Sequence, residues 1–363
     1  MEQPRGNETT QRPADLASIR EAHDRIRPHI HRTPVITCRA LDDIVAHAAS
    51  VGAEAGSFRH DRARLFFKCE NLQKAGAFKS RGACNAVFSL EAAEAERGVV
   101  THSSGNHAAA LARAAALRGI PAYIVMPSNA PAVKVAAVKH YGGRITFCEP
   151  TLAARESTAE SVLRETGGTM IHPYNDERII AGQGTAAVEF LEDVPELDVI
   201  MTPVGGGGLL AGTAIAAKSL KPEITVVAGE PQLADDAFRS LQAGEIIPVG
   251  PQDACGPTHP SGVGPTTTIA DGLKTSLGDK TFAVIRRLVD AIVLASEAGI
   301  ARGLELTLTR MKTVIEPSSA VPLAAILENP APFAGKRVGI VLSGGNLDLT
   351  QLPRMLEHKE DEG

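Results

Sequence analysis

The chain has 363 residues, of which 44% are hydrophobic and 22% charged, and its formal net charge is −5. Such a chain buries a full core without disulfide or metal support and fits one or two domains. The charge offers nothing to nucleic acid or an anionic membrane, and no apolar run nears the roughly 20 residues of a membrane span.

The opening MEQPRGNETTQRPADL has no apolar segment behind a basic start and reads as a polar tail rather than a secretory signal. Leu16, Ile19, Ala22, Ile26 and Ile30 fall at helical spacing over residues 14–30. Residues 45–64, small, polar and charged, read as a surface insertion. Short β-branched runs then predict strands at 65–69, 99–100, 123–126 and 145–147, with helices over 132–141 and 152–165. Later strands are expected at 199–201, 225–228, 292–294 and 338–342, separated by helical sequence. The Pro- and Gly-rich residues 246–266 read as a second insertion. This alternation predicts an α/β fold of parallel sheets covered by helices. Ligands in such folds bind at the carboxyl ends of strands, where the motifs of this chain fall. Five cysteines (Cys38, Cys69, Cys84, Cys148, Cys255) are scattered with no CxxC pair, which points to a reducing, cytoplasmic setting.

Five motifs carry chemistry. In KAGAFKSRGA, Lys79 stands just before a helix, against the dipole preference for cations, as suits an amine that is neutral or held as an imine; a solvated lysine is the plainer reading. In THSSGNHAAAL, Ser103, Ser104, Asn106 and His107 surround a glycine and suit a substrate carboxylate, where a helix cap would need one of them. PVGGGGLLAG places Gly205, Gly206, Gly207 and Gly208 between a strand and a helix; a turn needs one or two glycines, whereas four let successive N–H groups face a phosphate. The spacing is that of neither a dinucleotide fingerprint nor a P-loop. GEPQLADD pairs Glu230 with Asp236, either a hard-cation site or a solvated acidic turn. LSGGNLD sets Ser343 before two glycines at a strand end.

Together these motifs resemble the fold-type II pyridoxal-phosphate enzymes, the tryptophan synthase β-like fold, and within them the serine racemase and serine/threonine dehydratase group, most closely its eukaryotic-type racemases. The resemblance runs from HRTPV at His31 to about Thr350, through FFKCENLQKAGAFKSRGA, THSSGNHAAAL, EPTLAARES, PVGGGGLLAG, TIADGLKTSLG, IEPSSAV and IVLSGGNLDLT in that order. The two insertions depart from the family length, and no regulatory domain follows LSGGNLDLT.

The resemblance implies a role for each matching residue. Lys79 holds pyridoxal 5'-phosphate as a Schiff base, Phe78 packs beside the ring, Asn106 bonds the 3-hydroxyl oxygen, Gly205 to Gly208 cradle the phosphate, and Ser343 faces the pyridine nitrogen. Ser103, Ser104, Asn106 and His107 grip the substrate carboxylate and Arg155 closes over it. Glu230, the Ala234 carbonyl and Asp236 hold Mg²⁺, or Ca²⁺ or Mn²⁺. Lys74 lies near a nucleotide (ATP) effector site at a homodimer interface. Ser104, where simple dehydratases often carry alanine, supplies an acid/base on the face opposite Lys79. The implied enzyme has a large domain of residues 1–97 and 176–363 and a small domain of 98–175. It racemises serine and dehydrates L-serine and L-threonine. The alternatives are a threo-3-hydroxyaspartate dehydratase, with Arg155 on the second carboxylate, and a non-catalytic cofactor-binding regulatory protein.

Overall fold

The computed structural model describes residues 12–50, 62–103, 105–249 and 268–357. In chain order the elements are α1 (Leu16–Ile26), β1 (Val35–Thr37), α2 (Arg39–Ser50), β2 (Arg64–Lys68), α3 (Lys79–Phe88), α4 (Ala92–Arg97), β3 (Val99–His102), α5 (Asn106–Arg118), β4 (Ala122–Pro127), α6 (Ala132–His140), β5 (Arg144–Cys148), α7 (Leu152–Thr166) and β6 (Thr169–Met170). There follow α8 (Glu177–Asp193), β7 (Val199–Pro203), α9 (Gly208–Leu220), β8 (Thr225–Pro231), α10 (Asp236–Ala243), α11 (Asp279–Leu288), β9 (Ala291–Ala295), α12 (Glu297–Leu306), α13 (Pro317–Glu328), β10 (Arg337–Val341) and α14 (Leu352–Leu356).

Two sheets organise these elements. The larger runs β1-β2-β10-β7-β8-β9, parallel except at β1, which pairs antiparallel with β2. The smaller runs β5-β4-β3-β6, all parallel, and draws every strand from residues 99–170. The near-continuous apolar runs of β7 and β10 are those of strands buried on both faces. Ala-rich α5 and Gly-rich α9 present small residues that let helix and sheet approach closely. One buried cluster joins Ala83, Val87 and Leu90 through Leu111 to Ile124 and Met126, so α3 packs on α8 and on α5, which covers the smaller sheet.

Residues 45–50 do not belong to a surface insertion. They finish α2, whose Leu41 and Val45 are covered and whose Ile44 packs partly buried beside them. The rest of that segment up to 61, and 250–267 of the second insertion, lie outside the described residues.

Beneath α3 sits a buried ionic cluster. The Arg81 guanidinium, with 0% exposure, donates Nε and Nη2 to Glu70 at 2.7 and 2.8 Å. It also donates Nη1 and Nη2 to Glu189 at 2.8 and 2.7 Å, and Nη1 to Thr185 Oγ1 at 3.1 Å. All five of its donors are thereby used. Lys68 Nζ adds bonds to Glu189 at 2.8 Å and to the Thr33 carbonyl at 2.7 Å. Burial alone would raise the Glu189 pKa, yet the bonds from His23 and Arg81 and the charges of Arg81 and Lys68 hold it well below the usual carboxylate range. Two cations and two carboxylates balance, and the cluster fixes α3 two residues from Lys79. Glu189→Ala leaves Arg81 and Lys68 undercompensated and is expected to cost about 3–5 kcal/mol of unfolding free energy. Urea denaturation measures this, and a loss below about 1 kcal/mol would show the charges to be uncoupled.

Candidate active site

The carboxyl ends of β3, β7 and β10 face a cavity of about 410 Å³. Lys79, the first residue of α3, lines it and donates Nζ to the Pro173 carbonyl at 2.8 Å. Burial pushes its pKa down to about 8 against the charge of Glu316. An amine buried at a helix start is therefore close to the neutral form that nucleophilic attack needs. Phe78 lies beside it, with Nζ 5.1 Å from the ring centroid. The Phe78 N–H donates to the Ser343 carbonyl at 3.0 Å, fastening the start of α3 to the end of β10.

On the opposite wall β7 leads into the glycine run. Gly207 has φ +86°, and a Cβ on Gly206 would come within 2.3 Å of the Tyr174 ring. Side chains are excluded there by backbone conformation in one case and by contact in the other. The result is a bare backbone turn at the N-terminus of α9, where N–H groups and the helix dipole favour an anion. Ser343, 2% exposed, lines the cavity and sets its Oγ 3.0 Å from Ser319 Oγ.

The third wall is the turn from β3 to α5. Ser103 accepts the Gly105 N–H at Oγ (3.3 Å), and Ser104 lies outside the described residues. Asn106 Nδ2 donates to both oxygens of Glu316, at 2.9 and 3.1 Å, and its Oδ1 accepts from Asn346 at 2.9 Å. His107 is buried, with Nε2 3.3 Å from the Ile171 carbonyl and Nδ1 without a partner among the described residues. Burial, then the nearby Lys79 charge, holds its pKa well below 6.5. Arg155 on α7 reaches the same cavity with its buried Nε unpartnered among the described residues.

Lys79, Phe78, Ser103, Asn106, His107, Arg155, the four glycines and Ser343 thus line one cavity. Glu230, Ala234 and Asp236 form a separate group at the β8–α10 junction. Glu230 accepts the Ala237 and Phe238 N–H groups, both at 2.8 Å, and burial together with Asp236 pushes its pKa up to about 9. Two buried acids that repel in this way suit a hard cation. Among the described residues no three His, Cys, Asp or Glu side chains converge on one point, so such a cation would rest on two carboxylates and backbone oxygen. A larger groove of about 610 Å³ beside α1 and α8 holds none of the motif residues.

The sequence assigned no role to Glu316 and Tyr174, which line the cavity, or to His172, which stands behind Tyr174. Glu316, in the quoted IEPSSAV, precedes α13 and is held near pKa 7, raised by burial and lowered by Asn106. Tyr174 covers Gly206 and Gly208. His172, edge-on to Tyr174 at 4.5 Å, accepts the Asn175 N–H at Nδ1 (2.9 Å), so Nε2 carries the proton of the neutral ring. A Glu–Pro pair at a helix start looks like capping, and HPYN looks like a turn; only three-dimensional proximity to Lys79 distinguishes them.

Burial, then the charges of His102 and Lys79, pushes His172 down to about 4 from 6.5. A base with a depressed folded pKa contributes stability that is complete above pH 6.5 and is lost as pH falls through 4. The melting temperature of the cofactor-free protein is expected to drop over that window, and His172→Gln to flatten the drop. Parallel profiles for the two proteins would sink the assignment.

The chain matches the family described as "Pyridoxal-phosphate dependent enzyme" over residues 26–344. It is 52% identical to a serine racemase of Arabidopsis thaliana over 344 residues, covering 93% of this chain and 95% of that one. It is 49% identical to a beta-hydroxyaspartate dehydratase of Paracoccus denitrificans over 332 residues, covering 92% and 96%. The solved structure of maize serine racemase superposes with a TM-score of 0.84 at 44% identity, covering 95% of this chain and 98% of that one.

Proposed function

The chain belongs to the pyridoxal-phosphate-dependent enzymes, and from that premise we propose that it is a serine racemase with L-serine and L-threonine dehydratase activity. The observation that carries the reading is a buried lysine of pKa about 8 facing a side-chain-free phosphate cradle across one cavity. The donors fit the cofactor: an amine to attach it, Phe78 beside the ring, Asn106 for the 3-hydroxyl oxygen, Gly205 to Gly208 for the phosphate and Ser343 for the pyridine nitrogen. When bound, the cofactor supplies the electron sink that acidifies the substrate Cα proton.

The residues of the chain do the rest. Ser103, Ser104, Asn106 and His107 hold the substrate carboxylate, and Arg155 covers it. Lys79 takes the Cα proton on one face, and Ser104 returns or takes one on the other. Ser343, a hydroxyl, gives the ring nitrogen no acid to share and so favours prompt elimination or reprotonation. Closure of a small domain (98–175) on a large one (1–97 and 176–363) excludes water. Chiral analysis of serine beside an oxo-acid assay on one sample tests the reading. Absence of both D-serine and pyruvate from L-serine would overturn it.

A second reading, a threo-3-hydroxyaspartate dehydratase, is favoured by the open Arg155 Nε and by the Paracoccus relative. Comparison of kcat/KM on the two substrates separates the readings. A non-catalytic cofactor-binding role has the intact Lys79 site against it.

The reading includes Mg²⁺, Ca²⁺ or Mn²⁺ at Glu230, the Ala234 carbonyl and Asp236. Chelation is expected to lower the melting temperature and Mg²⁺ to restore it, because a ligand of the folded state alone stabilises it. A Glu230→Ala protein with the parent's response to chelator would remove the assignment. It also includes a homodimer, supported by Leu72 and Val314, 53% and 47% exposed on segments joined by the Asn71–Val314 hydrogen bond. An ATP effector near Lys74 belongs to it as well, and equilibrium dialysis tests that contact. The four described cysteines are free thiols, which supports a cytoplasmic setting. Among the described residues no helix is long and apolar enough to cross a membrane.

A further inference from the structure

An ion pair with no role in the chemistry above spans the cavity that holds Lys79. Lys134, on α6 beside the smaller sheet, bonds the carboxylate of Asp271 in the short turn Asp271–Leu273, next to the larger sheet. Both residues line the cavity. Both charges act on the buried Glu316, which also feels Lys79, so the pair stands within electrostatic reach of the reacting atoms. Their side chains are 25% and 49% exposed, and an ion pair this wet is weakly held and readily exchanged for another.

The cavity holds two further cations besides Lys79: Lys274, on which the Asp271 carboxylate is the foremost charge acting, and Arg155. Arg155 lines it with a buried Nε that has no partner among the described residues. A substrate bearing one carboxylate has the turn from β3 to α5 to receive it. A substrate bearing a second, side-chain carboxylate would seek Lys134, Lys274 or Arg155. It would find Lys134 neutralised and a like charge beside it. An uncharged β-hydroxyl has nothing to displace and nothing to repel it.

We propose that Asp271 is a specificity-determining residue: by occupying Lys134 it stands in for a substrate side-chain carboxylate and biases the cavity toward β-hydroxy amino acids with an uncharged side chain. This deepens the serine reading and rests on it for the identity of the favoured substrate. The principle is discrimination by a built-in repulsive element, set beside whatever attraction the cavity offers. Because the interaction is between partly solvated charges, its strength falls as salt rises.

The test uses the cofactor-loaded enzyme and Asp271→Asn, which keeps the shape and one acceptor for Lys134 while removing the charge. Succinate, a dicarboxylate with no amino group to react, is the probe, and calorimetry gives its Kd. Asp271→Asn is expected to tighten succinate on the order of tenfold at low salt, with the gain shrinking in 0.5 M NaCl. The ratio of kcat/KM for 3-hydroxyaspartate over L-serine is expected to rise by a similar factor. Adding Lys134→Ala to that variant should cancel the gain. Succinate affinity and substrate ratio both within about twofold of the parent would overturn the proposal. So would equal tightening of serine and succinate, since a general loosening of the cavity does not depend on substrate charge. If the parent enzyme fails to turn over serine, the serine reading falls, while the succinate measurement still decides whether Asp271 guards the cavity against a second carboxylate.

Discussion

Lys79→Ala is expected to abolish both D-serine formation and pyruvate formation, and with them the absorbance near ~410–420 nm of a lysine-bound cofactor. The substitution removes the covalent anchor and the base in one step, and loss of a base alone costs on the order of 10²–10⁴ in rate. Two features of the site make the loss specific. Lys79 is buried and its amine is poised near pKa 8, and Lys274, another lysine along the cavity, is itself shifted down by burial but has no place on α3. The variant keeps Phe78 bonded to Ser343 and keeps the Arg81 cluster, so it should fold with the parent's melting temperature in the absence of cofactor. Turnover above background with added cofactor, in protein shown to be folded, would end the proposal that Lys79 is the catalytic lysine.

Ser104→Ala is expected to separate the two reactions. Elimination from L-serine needs Lys79 and a route for a proton to the leaving hydroxyl, whereas racemisation needs an acid/base on each face of Cα. The variant is expected to lose D-serine formation by about 10²–10⁴ while pyruvate formation from L-serine persists. On the proposed roles, elimination from D-serine should fall too, since Ser104 would take its Cα proton. Both products are measured on one preparation. Equal loss of both would make Ser104 a support of the carboxylate loop, and unchanged racemisation would assign that face to another group. His107 is a poor substitute, being held neutral with Nε2 turned to the Ile171 carbonyl.

The strand–helix alternation was legible because parallel strands buried on both faces read as short β-branched runs, and β4, β7, β8 and β10 were expected within a few residues of their ends. Two strands were not. β1 has three residues and β6 two, too few for any period to show, and each exists because a neighbouring strand offers an edge. The start of the supposed first insertion looked loop-like since Ala-His-Ala-Ala-Ser carries little hydrophobicity, but Leu41 and Val45 one turn apart are enough when both are buried. At the site, residues set in glycine- and serine-rich turns were found since those turns are unusual for structure alone. Glu316, His172 and Tyr174 were not, because their significance lies in what they touch from 90 or more positions away from Lys79.

The cluster around Arg81 also dictates when in the life of the chain the site can exist. Its members come from Thr33, Lys68, Glu70, Arg81, Thr185 and Glu189. While a ribosome has released only the first 150 residues, Arg81 has Glu70 and lacks Glu189, so α3 carries an undercompensated charge at the turn that must aim Lys79. The lysine becomes fixed only when α8 has emerged and docked. The cavity around it also takes Gly205 to Gly208, Glu316 and Ser343, so the site is complete only in a nearly finished chain.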